Sequence, residues 1–307
     1  LPEDPPRRIS PATAFFALLA LALGIALYVK TRPVEPGKPA ERHPAARRAP
    51  AAKPHVEPPP STPAPAPLQT APPVEARIAI VIDDLGNDRE ALERIVRWPY
   101  PVAGAVLPGL PGSADAARRL AGSGKEVLLH LPMEPDGYPQ VQPGPGVILR
   151  SDTDDRIMQI VTDDLASVPG AVGVNNHMGS AATADVRVMR AVVRVLAQRG
   201  LFLLDSRTTE ATVARRVADE ASLPAVSRRV FLDAVTTDRA VGRAYRDLLA
   251  KAKEDGSALA IGHPHPATLD LLERELPKLR EEGIELVRVS RLVRTSASNK
   301  VPVASSR

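Results

Sequence analysis

The sequence predicts an α/β protein: a distorted (β/α) barrel, complete or incomplete, preceded by a single transmembrane helix and a Pro-rich linker. Three observations carry that expectation. From Arg77 onward, short β-branched runs alternate with amphipathic stretches. Residues 12–29 are apolar and uncharged, and 14 of the 33 prolines fall between Pro33 and Pro73.

Residues 1–11 read as an N-terminal tail. The run Ala12–Val29 would span roughly 27 Å as a helix, enough for a thin bilayer core. Arg7 and Arg8 precede it, and Lys30 and Arg32 come after it. Gly24-Ile25-Ala26 resembles a cleavage site, but Leu27-Tyr28-Val29 continues the apolar run beyond it, which favours an uncleaved anchor over a signal peptide. A short tail is easier to leave inside than a large domain is to retain there. The expected location is therefore the inner (cytoplasmic) membrane, single-pass, with the domain facing the periplasm or exterior.

Residues 30–76 are rich in Pro, Ala and basic side chains. Such a chain cannot bury a core and favours extended polyproline II, a spacer on the order of 100 Å long. The charge count sets this linker apart from the C-terminal part of the chain. The formal net charge of +4 lies wholly in residues 30–77, with 8 basic and 4 acidic groups, whereas residues 78–307 carry 30 of each. A neutral domain with 3% aromatic residues argues against nucleic-acid binding. The absence of cysteine excludes disulfides, Cys-based metal sites and Cys nucleophiles.

Residues 77–293 form the expected domain. Strands are expected over 78–82, 102–107, 126–131, 171–175, 201–205, 226–232, 258–262 and 285–289, with helices between them. An open doubly wound sheet is the other arrangement such alternation permits, but no glycine-rich phosphate loop comes after the first strand. Residues 294–307 read as a disordered tail.

The chemistry gathers at strand ends. The domain holds four histidines, His130, His177, His263 and His265, each at or just beyond the C-terminal end of an expected strand. In α/β folds ligands bind at that edge. Asp83, Asp84, Asp205 and Asp233 occupy the same kind of position. An apolar strand running into Asp83-Asp84 suits a metal ligand beside a general base, although one aspartate capping the next turn would give the same pattern.

Ile82-Asp83-Asp84-Leu85-Gly86 is similar to the Asp-Asp motif that opens the polysaccharide deacetylase domain. The fuller set resembles the divergent branch of that family: Leu129-His130-Leu131-Pro132-Met133-Glu134, Gly173-Val174-Asn175-Asn176-His177-Met178-Gly179-Ser180, Leu204-Asp205-Ser206-Arg207-Thr208 and Gly262-His263-Pro264-His265-Pro266. It covers roughly residues 77–293. The resemblance implies a distorted (β/α) barrel, a divalent metal, usually zinc, and hydrolysis of N-acetyl groups on an envelope glycan such as peptidoglycan.

Residue by residue, the resemblance implies Asp83 as general base and Asp84 and His130 as metal ligands. The well-studied branch has a second histidine four residues after the first, where this chain has Glu134. His177 is the better third ligand, with Glu134 the alternative. His263 or His265 would protonate the leaving amine. Asp205 and Asp233 would orient a histidine or ligand, or else cap and pair structurally. Arg207 would bind a substrate carboxylate or phosphate, or serve only as a surface residue. Asn175 and Asn176 are amide donors for a glycan or oxyanion, or simply turn formers. The neutral domain favours a neutral sugar over a polyanion. A silent glycan-binding or scaffolding protein that keeps the barrel is the competing function.

Overall fold

Parallel strands and outer helices alternate through residues 73–294, the part of the chain that the computed structural model describes. In chain order they are β1 Ala76–Leu85, α1 Arg89–Arg97, β2 Ala103–Val106, α2 Ser113–Gly122, β3 Val127–Met133 and α3 Asp154–Ser167. Next come β4 Ala171–Met178, α4 Val186–Arg199, β5 Phe202–Asp205, α5 Ala214–Glu220, β6 Ala225–Ser227 and β7 Val230–Phe231. The last elements are α6 Asp238–Asp255, β8 Ser257–Gly262, α7 Pro266–Glu275 and β9 Ile284–Leu286. Side-chain oxygens cap several helix starts: Asp88 on α1, Thr153 on α3, Asp185 on α4 and Thr237 on α6. Each such cap contributes about 1 kcal/mol. The α7 helix stops after Glu275, because Pro277 cannot continue it.

The strands lie in the order β6-β5-β4-β3-β2-β1-β8-β7, with β9 beside β1. β8 lines one edge of β1, and the other edge is shared by β9 at Ala76–Ile78 and by β2 further along. β6 and β7 do not pair, so this parallel half-barrel has a seam. The single strand expected over 226–232 is divided there. The Arg228 amide donates to the Asp205 carbonyl, and the next amide, of Arg229, donates to the Leu259 carbonyl. The chain steps from one sheet edge to the other between two residues.

Period-two alternation divides the core. Ile78, Ile80 and Ile82 of β1 face the helices and meet Leu92, Ile95 and Leu120. Ala79 and Val81 face inward, with Ala103, Ala105, Leu128, Leu204, Leu259 and Ile261. The small side chains on β1 and β2 keep the interior narrow. The segment after β9 packs Val287, Val289 and Leu292 against this inner layer.

The expected anchor, linker and C-terminal tail (12–29, most of 30–76, and 295–307) lie outside the described residues. Among the described residues no helix is long and apolar enough to cross a membrane.

Candidate active site

The inward series on four strands runs into a polar residue. On β1 it runs Ala79, Val81, Asp83; on β3, Leu128, His130; on β4, Gly173, Asn175, His177; on β8 and just past it, Leu259, Ile261, His263. His130 stands opposite Asn175, and Ile82 opposite Gly262, so these side chains share one layer at the C-terminal edge. In a regular strand, Asp83 and Asp84 would point to opposite faces. Here the β1–β2 register shifts between Ile82 and Leu85, and Asp84 adopts a left-handed conformation with φ 57°. That irregularity lets two consecutive carboxylates reach the same space. Aspartate tolerates this backbone better than most residues. Met178, at the end of β4 beside His177, is also left-handed, with φ 53°.

Three atoms form a tight triangle. Asp84 Oδ1 lies 3.2 Å from His130 Nε2 and 3.0 Å from His177 Nδ1, and the two ring nitrogens are 3.0 Å apart. Donor atoms around tetrahedral zinc are separated by about 3.3 Å. Among the described residues, Asp84 Oδ1 is buried with no aligned hydrogen bond. A carboxylate oxygen that faces two ring nitrogens off-axis fits a cation held among all three. Burial works to raise the Asp84 pKa, but the two histidines outweigh it and hold the carboxyl far below the ordinary range.

Asp83 is treated differently. It is 2% exposed, and burial raises its pKa against the pull of His130 and His263. The Asn175 amide nitrogen donates to both Asp83 oxygens at 3.0 Å, and the Asn175 carbonyl faces His130 Nδ1 at 3.1 Å. An acceptor at Nδ1 places the His130 proton there, which leaves Nε2 free to face Asp84 and His177. One buried amide therefore fixes both the carboxylate and the tautomer of its neighbour. The same nitrogen lies 3.2 Å from Ser206 Oγ.

On the other side, His263 Nδ1 meets Asp233 Oδ1 at 2.9 Å, and its backbone amide donates to Asp233 Oδ2 at 2.6 Å. The Thr268 hydroxyl donates to that same oxygen at 2.7 Å. Burial works to lower the His263 pKa, but Asp233 overcomes it and the net shift is upward. Nε2 then faces the mouth, 3.8 Å from Asp84 Oδ2. Phe231 stacks on the His263 ring with centroids 5.3 Å apart.

Residues 80–293 match the divergent polysaccharide deacetylase family. The chain belongs to that family. It is 35% identical over 243 residues to the uncharacterized protein YibQ of Escherichia coli, covering 76% of this chain and 75% of that protein. To an uncharacterized protein of Haemophilus influenzae it is 34% identical over 226 residues, covering 72% of this chain and 78% of the relative. A crystal structure of an uncharacterized protein from Agrobacterium tumefaciens superposes with a TM-score of 0.68 at 26% identity, over 71% of this chain and 89% of that one.

Within this deacetylase domain, the remaining sequence candidates lie elsewhere. Glu134 turns away from the triangle. It accepts the Arg150 amide at 2.6 Å and pairs with the Arg150 side chain, pinning the β3–α3 loop. Asp205 has the outward parity of β5. It caps the next turn through the Arg207 amide and lies within 3.3–3.4 Å of the Thr212 hydroxyl, so it orients no histidine. Arg207 pairs with Glu210 at the surface. The Asn176 side chain is spent on the Ser206 amide, the Met178 carbonyl and Thr208. His265 is exposed at the start of α7, its ring 5.9 Å from that of His263. Sequence reasoning gave no role to Ser206, Thr268, Phe231 or Arg228. The inward parity of β5 would have found Ser206; nothing in the sequence marks the other three.

Proposed function

We propose that this protein is a metal-dependent hydrolase that removes N-acetyl groups from an envelope glycan, held at the inner membrane by residues 12–29 with its domain on the periplasmic or outer side. The observation that carries this is the unequal treatment of two adjacent carboxylates: Asp84 faces two histidine nitrogens at 3.0 and 3.2 Å as a ligand would, while Asp83 takes the Asn175 amide on both oxygens and lies farther off, 3.5 Å from His130 Nε2.

Asp84, His130 and His177 would hold the ion. A divalent cation such as zinc supplies Lewis acidity there, easing deprotonation of water and drawing charge from a carbonyl oxygen. Asp83 takes the proton of the attacking water as its oxygen adds to the acetamide carbon. Burial pushes the pKa of that carboxyl up against the pull of His130 and His263, which favours its taking up a proton. His263, oriented by Asp233 at Nδ1, presents Nε2 and gives its proton to the sugar nitrogen as the C–N bond breaks. The products are acetate and a free amine. His263 is preferred to the exposed His265 because Asp233 both orients it and supports its protonated form.

The test is acetate release from N-acetylated glycans by purified full-length protein, before and after chelation. Release that stops with chelator and returns with zinc is expected. Glycan binding with no acetate release in the zinc-loaded protein would establish a silent binding barrel instead.

A further inference from the structure

The mouth carries a cation that the proposed chemistry does not use. Arg228 lies at the seam, where its Nε donates to the Ser206 carbonyl at 2.6 Å and its Nη2 to the Arg207 carbonyl at 2.8 Å. Among the described residues no carboxylate is in ion-pair contact with it, and no protein acceptor faces Nη1. Its Cζ lies 4.5 Å from the centre of the Phe231 ring, and that ring stacks on His263. The Phe231 ring thus touches both the imidazole and the guanidinium, and Arg228 Cζ lies no more than about 10 Å from the imidazole centre.

Latching the seam accounts for two N–H groups but not for the charge. Two carbonyls need donors only, and a half-buried guanidinium costs desolvation that a neutral donor would avoid. Burial indeed lowers the Arg228 pKa, with Asp205, Glu210 and Asp83 acting against it from a distance. Phe231 fixes how far the cation stands from His263, a separation that a neighbouring sugar residue can bridge. Arg207 is no substitute, because its guanidinium is already paired with Glu210 at 2.8 Å.

We propose that Arg228, positioned by Phe231, is a subsite for a single carboxylate on the sugar next to the one that loses its acetyl group. The placement rests on the deacetylase reading, and it revises the expectation of a neutral substrate. Net charge is a sum over the whole surface, whereas one unpaired cation beside the site matches one anionic group.

The probe is N-acetylglucosamine linked to N-acetylmuramic acid, compared with the same disaccharide as the methyl amide of its carboxyl group. Calorimetric titration of zinc-loaded full-length protein should show the carboxylate form binding about 10-fold tighter, as a charge-assisted contact gives over a neutral one. Arg228→Gln should bring the two affinities together, and the ligand pair tests the wild-type protein even if that variant is unstable. Indistinguishable titrations, absence of binding to both included, overturn the inference, as does a preference that survives in Arg228→Gln. Acetate release with equal affinities leaves the deacetylase reading standing and removes the subsite. A carboxylate preference without acetate release does the reverse.

Discussion

Two buried carboxylates, Asp83 at the barrel mouth and Asp164 beneath the β3–α3 loop, show what separates a site from a merely perturbed residue. They are 2% and 7% exposed, and burial raises the pKa of both. At the mouth, Asn175 donates to both oxygens of Asp83, and His130 and His263 stand close by. Asp164, on α3, is pushed up to about 7 by burial and then by its neighbour Asp163. Among the described residues its Oδ2 has no hydrogen-bond partner, and Gly146 passes so close to the carboxylate that a Cβ would collide. Burial alone gives a shifted acid. Chemistry needs neighbours that hold the charged form and face a space open to substrate.

That contrast breaks most sharply at the triangle. His177→Ala leaves two ligands, so near-stoichiometric zinc should be lost on dialysis and acetate release should fall with it. Unchanged metal content by elemental analysis would remove His177 from the ligand set. A smaller effect is expected from Asn175→Ala, which frees the His130 tautomer and the Asp83 carboxylate while leaving every ligand in place. Loss of such a supporting hydrogen bond costs about 10–100-fold in metal affinity or activity, readable from competition with a chelator of known affinity.

Asp164→Asn should leave turnover alone and change only the pH dependence of stability. Between about pH 4 and 7 the folded wild type keeps a proton that the unfolded chain has lost. Wild-type stability therefore falls as pH rises through that window and stays low above it. The asparagine variant lacks this fall, so its Tm should match wild type near pH 4 and exceed it by several degrees, about 2–4 °C per kcal/mol, at pH 8. Parallel melting curves at both pH values would show that Asp164 carries no burial cost.

Much of the mouth was legible in the sequence, because parity and strand ends are sequence properties. An apolar run that stops at Asp83, and one that carries His130 or leads into His263, places each side chain at the C-terminal edge once the strand is recognised. What could not be read depends on departures from regularity. The left-handed turn at Asp84 brings its carboxylate beside that of Asp83, although alternation would separate them. The division of 226–232 at Arg228 creates the seam and the stack on Phe231, although the residues read as one strand. Glu134 has the spacing of a ligand but finds Arg150 in a loop whose path no local pattern encodes. Asp164 looks like any acidic residue in the run Asp163-Asp164 of a helix, and only the glycine packed over it reveals its burial.

The division of labour between Asp83 and Asp84 is the centre of this account, and Asp83→Asn tests it most directly. The amide is nearly isosteric, it leaves the triangle intact, and it cannot accept the proton of water. The full-length variant should stay folded and hold zinc as wild type does, its melting temperature shifted only by the loss of one of the two contacts with Asn175, while acetate release from an N-acetylated glycan falls about 10²–10⁴-fold. A folded, zinc-loaded Asp83→Asn protein that releases acetate at the wild-type rate would contradict it.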